Sequence, residues 1–385
     1  MIIGIDGNEA NIENRVGVNQ YCFSLLWGIY KLQGQWKNKH KFIVYLKNSP
    51  LPDLPRPTKY FGYKLIPGGG VWIVRKLTPK LFKESPKPDV FFSPSHYVPL
   101  LAPMPRVCSI MDLGYLKFSG QFRKYDFWQL KLWSAYSIFI SKAVIAISNS
   151  TKDDILRHYP FASKKVFVTH LAYDKEVFNA QIPPEDVRRV KESYAIVDDY
   201  ILYLSTLKPS KNVEGLIEAF GLLKGKKKTQ NTKLVIAGKK GWFYESIFEK
   251  VKTLGLEKEV IFTDFVPEED KAPLIRGAKV FALPSFWEGF GLDALNSMAC
   301  GVPVVVSNVG SLPEVVGDAG ILVDPYKPAS IASGIAKVLS MGDLEYNKLV
   351  TKGLRQAEKF SWEGTARKTI EILEKVNNGR KNDQK

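Results

Sequence analysis

The chain reads as an α/β protein made of two Rossmann-like parallel-sheet domains. Three observations carry this. Short apolar, β-branched runs alternate with helical spacing along the whole chain, the pattern of parallel sheets joined by crossover helices. The 385 residues exceed one ordinary core and divide into two domains of roughly 180 residues each. The strand-like runs also fall in two sets of six, separated by the charged segment Ala180–Asp198 with its Pro183-Pro184 pair.

In the first half, Ile2–Ile5, Phe42–Leu46, Val90–Phe92, Arg106–Ile110, Ala143–Ile147 and Lys165–Thr169 read as strands. A helix follows the first of them, with Tyr21, Leu25, Leu26 and Ile29 at helical spacing. In the second half, Tyr200–Leu204, Lys233–Ala237, Glu259–Phe262, Lys279–Leu283, Val302–Val306 and Gly320–Val323 read as strands. Helices are expected near Ala329–Met341, Leu344–Phe360 and Trp362–Val376. Gly225–Thr229 reads as an exposed loop, and the polar stretch Asn377–Lys385 as a disordered tail. The domain limits are therefore 1–180 and 199–360, with a linker at 181–198. Ligands in such sheets bind at the carboxyl ends of the strands, and two domains can turn those ends toward one cleft.

Composition narrows the function. Hydrophobic content of 45% and aromatic content of 12% are those of a globular chain. Cys22, Cys108 and Cys300 are widely spaced, with no metal-ligand pairing, and the four histidines form no cluster. A reduced cytoplasmic setting follows. The first residues read as a strand, not a signal peptide. The most apolar long run, Leu132–Ile147, is interrupted by Ser134, Ser137, Ser141 and Lys142, so it is no membrane span.

The net charge of +16 is uneven. Residues 1–180 hold 25 Lys and Arg against 12 Asp and Glu, and the remainder 30 against 27. A basic first half calls for an anionic partner, and solubility alone also accounts for it. No helix-turn-helix, zinc finger or aromatic-rich RNA-binding strand is present, which sets nucleic acid last. A pyrophosphate-linked lipid, or a peripheral contact with the inner face of an anionic membrane, fits the charge better.

The most informative stretch is Pro284–Asn308. Glu288 sits at the lip of a turn through Gly289, Phe290 and Gly291. Leu292, Leu295, Met298 and Ala299 then recur at helical spacing, with Asn296 on the same short helix. Gly301 and Pro303 end that helix, and Val304–Val306 read as a strand buried on both faces. Helix N-termini attract phosphate. A carboxylate beside one repels phosphate, which assigns Glu288 to a hydroxyl-rich group. A ligand with both parts is a nucleotide sugar, although an ordinary strand–turn–helix unit has the same local pattern. The loop after Leu204 adds Lys211, placed to meet a diphosphate at the start of a helix carrying Val213, Leu216, Ile217 and Phe220. Trp242, in the loop after Ala237, either shields a base or caps the domain.

The wording of Pro284–Val306 closely resembles the donor-site signature of the retaining nucleotide-sugar glycosyltransferases of family four, which have the GT-B fold. The resemblance runs from Ile2 to about Val376. It implies a cleft between the two domains, an acceptor-side first domain, a nucleotide-sugar-binding second domain and a final helix, 361–376, that crosses back to the first. It implies transfer of a hexose from a nucleotide-diphosphate sugar to a hydroxyl of a glycan or lipid-linked acceptor, with configuration retained. Neither a metal nor another cofactor is implied.

The resemblance also implies residue roles. Gly17 lets backbone approach the donor phosphate. Val266 faces the nucleobase with its main chain. Glu288, Phe290, Gly291 and Leu292 form the donor turn, with Glu288 orienting the sugar. Asp112 belongs to a first-domain motif that contacts the sugar. Asn296 stands at the ribose where the signature has a second glutamate. Met111 replaces a histidine, and the family's arginine is absent from both positions it occupies, Thr206 and Ser210, leaving Lys208 as the nearest substitute. These departures keep a second reading open, a non-catalytic sugar-nucleotide-binding relative. His96 reads either as a partial substitute for that missing histidine or as a hydrogen-bonded structural histidine, and His170 reads as structural. An epimerase on the same fold needs acid and base groups that no segment supplies. The loop at Thr206–Asn212 is similar to mannosyltransferases that use GDP-mannose, and a UDP-sugar is the other donor consistent with the pattern.

Overall fold

The computed structural model describes residues 1–36, 38–121, 123–224 and 231–383. They form two compact units. One comprises Met1–Leu171 with the segment from Ser361 onward, the other Ala172–Phe360.

The first unit holds seven parallel strands: β1 (Ile2–Asp6), β2 (Lys41–Leu46), β3 (Phe61–Leu65), β4 (Val90–Ser93), β5 (Arg106–Ile110), β6 (Ala143–Ala146) and β7 (Val166–Val168). Their order is β3-β2-β1-β4-β5-β6-β7, with Ile3 opposite Phe42 on one side and Val90 on the other. All four residues of β4 and of β6 are buried, as strands covered on both faces must be. The expectation of six strands missed β3. Gly62 and Lys64 interrupt its apolar run, and only Phe61 is fully buried. At the sheet edge, pairing with β2 from Phe42↔Phe61 to Leu46↔Leu65 holds it as a strand.

The second unit holds six parallel strands: β8 (Tyr200–Leu204), β9 (Lys233–Ala237), β10 (Val260–Asp264), β11 (Val280–Leu283), β12 (Val304–Ser307) and β13 (Gly320–Val323), ordered β10-β9-β8-β11-β12-β13. β8, β11 and β12 are buried along their whole length. The segment read as a linker includes the helix Pro184–Ser193, which lies in the second unit.

After Phe360 the chain rejoins the first unit through the helix Trp362–Asp383. It packs on the helix Val18–Leu32, where Gly28 makes the approach close. A Cβ there would sit 2.7 Å from the Trp362 carbonyl oxygen. The helix runs on through residues read as a disordered tail; tertiary packing on its earlier turns overrides the polar composition. The loop expected at Gly225–Thr229 lies outside the described residues.

Candidate functional site

Each sheet reverses its strand order once, and loops leaving the carboxyl ends of the strands on either side of a reversal form a crevice. In the second unit the reversal falls between β8 and β11. The loop after β8 delivers Lys211, and the loop after β11 delivers Glu288. Lys211 Nζ donates to Glu288 Oε1 at 2.6 Å, and Ser285 Oγ donates to the same oxygen at 2.8 Å. Both charged side chains are mostly withdrawn from solvent, 14% and 10% exposed.

Local chemistry explains why the two loops meet. Asn212 adopts the left-handed conformation, φ 55°, which asparagine tolerates better than most residues. Its buried Nδ2 donates to the carbonyls of Pro284 (3.0 Å) and Pro325 (2.7 Å). The Phe286 amide donates to the Ser210 carbonyl at 2.9 Å. Behind the acid, Ser311 Oγ donates to the Glu288 carbonyl at 3.0 Å. A Cβ on Gly310 would stand 2.9 Å from that carbonyl oxygen, so only glycine permits the approach.

The helix Leu292–Ala299 starts at Gly291, φ 94°, which offers no capping side chain. A Cβ at Gly291 would meet Leu312 Cδ2 at 2.5 Å. Asp293, in the first turn, is an acid that the sequence reading did not single out. Burial pushes its carboxyl up to about 6, against the pull of Lys271 and Lys211. Acids are ordinary in first helical turns, so only the fold shows this one sharing the electrostatic field of Lys211 and Glu288.

The remaining donor candidates are placed as follows. Asn296 lies one turn beyond Leu292 on the same face. It is 5% exposed, and its Oδ1 is buried with no hydrogen-bond partner. The Val266 and Phe290 side chains are core, and Phe290 meets Phe360 edge-on with centroids 5.8 Å apart. Lys208 stands over the Trp242 ring, 5.3 Å from its centroid, which gives both side chains a mutual contact. The loops after β8 and β9 run side by side through Leu207 and Lys239, whose main chains bond at 3.0 Å.

In the first unit the reversal falls between β1 and β4. Asp6 ends β1 and accepts from the Asn8 amide (3.1 Å) and Asn8 Nδ2 (2.7 Å). Burial raises its carboxyl to about 6. Burial also raises Glu9, which accepts from Asn19 Nδ2 at 2.6 Å. Gly17, φ 54°, starts the Val18–Leu32 helix and borders open space. After β4 comes His96. Burial lowers its imidazole to about 4, so the ring is neutral near pH 7, and its Nε2 is buried without a partner. The expectation of a hydrogen-bonded structural histidine does not hold for that nitrogen. Asp112, two residues beyond β5, is exposed and accepts from the Gly114 amide at 2.8 Å, shaping the turn that follows. His170 lies beside the C-terminal helix, its carbonyl accepting from Thr365 Oγ1 at 2.6 Å.

Residues 188–356 match the family described as glycosyl transferases group 1. The O-antigen chain mannosyltransferase B of Escherichia coli is 35% identical over 236 residues, covering 61% of this chain and 61% of that protein. The serotype-specific mannosyltransferase WbdA of E. coli is 33% identical over 231 residues, covering 60% of this chain and 28% of the other. The chain therefore aligns with less than two thirds of the length of either relative. Among solved structures, Anabaena HepE in complex with UDP and glucose superposes with a TM-score of 0.71 at 17% identity, covering 97% of this chain and 99% of that one. WaaG, a glycosyltransferase involved in lipopolysaccharide biosynthesis, gives 0.69 at 15%, with the same coverage. At such identities the likeness establishes the scaffold, which is GT-B.

Proposed function

We propose that the chain, which has the GT-B fold and matches the group 1 glycosyl transferase family over residues 188–356, moves a hexosyl group from a nucleotide-diphosphate sugar to an acceptor hydroxyl. The observation that carries this reading is the meeting of Lys211 and Glu288 at the strand-order reversal of the second unit.

A diphosphate brought to the site exchanges the ammonium's partner. Lys211 turns to the phosphate, and the uncapped helix start at Gly291 adds its dipole. Glu288, kept in place by Ser285, accepts from sugar hydroxyls and orients the ring. The bond between the anomeric carbon and the diphosphate oxygen breaks, and the acceptor oxygen bonds to that carbon from the same face. The acceptor's proton passes to the departing diphosphate. Gly17 gives a close backbone approach, Val266 offers its main chain to the base, and Phe290 and Leu292 hold the turn. In the first unit Glu9, His96 and Asp112 offer acceptor-side hydrogen-bonding groups. No metal enters this scheme, and turnover is expected to survive chelator.

The donor is GDP-mannose or a UDP-sugar. The mannosyltransferase relatives favour the former, and a glycan or lipid-linked acceptor of polysaccharide synthesis goes with it. Peripheral attachment to a cytoplasmic membrane face is supported by the helix Lys124–Ile140. Tyr125, Trp128, Leu132, Tyr136 and Phe139 recur at spacings of three and four and are all exposed, with Lys131 set 4.9 Å over the Trp128 ring. No described helix is long and apolar enough to cross a membrane.

The test is calorimetric titration of the purified chain with GDP-mannose, UDP-glucose and their nucleoside diphosphates, followed by assay of nucleoside diphosphate release with acceptor. Binding of one donor and acceptor-dependent release support transfer. Binding without release supports the alternative, a non-catalytic relative, which the buried unpartnered Asn296 favours. No binding to any donor overturns both.

A further inference from the structure

A cavity of about 580 Å³ opens on the first unit at the amino ends of β5, β6 and β7, the ends opposite those that carry the loops of the β1–β4 crevice. Arg106 begins β5, Lys142 immediately precedes β6, and Lys164 stands two residues before β7. These positions mark the amino ends of the strands. Lys375 and Arg380 line the same cavity from the C-terminal helix. Five cationic side chains thus converge, and no carboxylate is among the lining residues.

Their present partners leave that charge uncompensated. Arg106 Nη1 donates to the carbonyls of Leu100 (2.7 Å) and Pro99 (3.2 Å), while its Nε is buried with no partner. Lys375 rests 4.9 Å over the Phe167 ring. Arg380 Nη1 donates to the Asp89 carbonyl, at 3.5 Å. None of the five forms an ion pair among the described residues. Burying part of a guanidinium without a counter-charge is costly, and bringing four further cations to the same cavity adds repulsion. An anion relieves both. The floor is apolar, through Ile140, Phe167 and Val376, and the volume is that of a small-ligand site.

We infer that this cavity binds a phosphate-bearing ligand at a site separate from the Lys211–Glu288 crevice. Arg106 supplies a planar donor for phosphate oxygens, the lysines and Arg380 supply charge, and the apolar floor takes the part of the ligand next to the phosphate. Two sources carry this chemistry, a phospholipid headgroup and a soluble phosphate compound. The rim has apolar residues suited to the first: Leu101 and Phe139 adjoin the lining residues Ala102 and Ile140 and are 66% and 67% exposed.

The experiment uses the full chain and the double variant Lys142→Ala/Lys375→Ala, both exposed lysines whose loss leaves the core intact. A thermal melt confirms folding. One arm titrates inorganic pyrophosphate by calorimetry, with Lys211→Ala as the control for pyrophosphate taken up by the second unit. The other arm sediments vesicles of phosphatidylcholine, with and without a minor fraction of phosphatidylglycerol. The expected result is that the double variant weakens one of the two by roughly tenfold or more. Loss of pyrophosphate binding that Lys211→Ala does not reproduce assigns a soluble ligand. Loss of sedimentation with phosphatidylglycerol vesicles assigns a headgroup. If the double variant matches the parent in both arms, or the parent binds neither probe, the inference is overturned. Donor titration is run separately, so failure here leaves the transferase reading standing.

Discussion

Lys211 Nζ lies 2.6 Å from Glu288 Oε1, and the two residues come from loops on opposite sides of the one point where the second sheet reverses its strand order. The sequence separates them by 77 positions. The ion pair is mostly buried. Such a pair contributes little net stability, but removing one member strands the other. Lys211→Ala and Glu288→Gln are each expected to cost up to about 3 kcal/mol of stability, with the double variant losing less than the sum. Donor affinity should fall in both. Urea unfolding and donor calorimetry on the same four proteins check this. Additive stability losses would mean that the pair is not coupled in solution.

Asn296 carries a buried carbonyl oxygen with no partner. An unsatisfied buried acceptor costs about 1–3 kcal/mol. Asn296→Leu, of similar size, is therefore expected to raise the melting temperature while weakening donor binding. If the leucine variant binds donor as tightly as the parent, Asn296 has no part in recognition.

Two glycines separate backbone strain from steric exclusion. At Gly17, φ 54°, nothing lies within 4 Å of a Cβ, so Gly17→Ala pays backbone strain alone, about 1–3 kcal/mol. At Gly238, φ 139°, a Cβ would fall 2.0 Å from the Ser205 carbonyl oxygen. Gly238→Ala must therefore displace the loops after β8 and β9, and the variant is expected to lose most of its soluble yield. Equal melting temperatures for the two variants would contradict the close approach.

Asp6 is 6% exposed and titrates near 6 rather than at its ordinary 3.8, because burial penalises its charged form. The folded state holds this proton more tightly than the unfolded chain, so stability falls as pH rises from about 4 to about 6. Above that window the cost is fully present, about 2–3 kcal/mol. Asp6→Asn keeps an acceptor for Asn8 and carries no charge. Its stability relative to the parent should climb between pH 4 and pH 6 and level above. Urea midpoints measured across that range check the curve, and a flat difference would show that Asp6 is not desolvated.

Much of the fold was legible because parallel strands buried on both faces are written as continuous apolar runs. β5, β8, β9 and β13 match their sequence limits residue for residue. β3 was not legible, because its glycine and lysine weaken the local signal and pairing with β2 decides its state. The polar C-terminal stretch carried the same ambiguity, and the packing of its earlier turns on the Val18–Leu32 helix resolved it as helix.

The sequence by itself determined the fold class, the glycine-flanked turn at Glu288 and the helix start beside it, since these depend on residues near one another in the chain. Only the tertiary structure decided that Lys211 and Glu288 share a bond, that Asp293 feels both, that Asn296 carries a buried oxygen with no partner, and that five cations from three strand ends and the last helix meet around one cavity. Those facts depend on strand order and on burial, which arise from pairings far apart in sequence and leave no trace in local spacing.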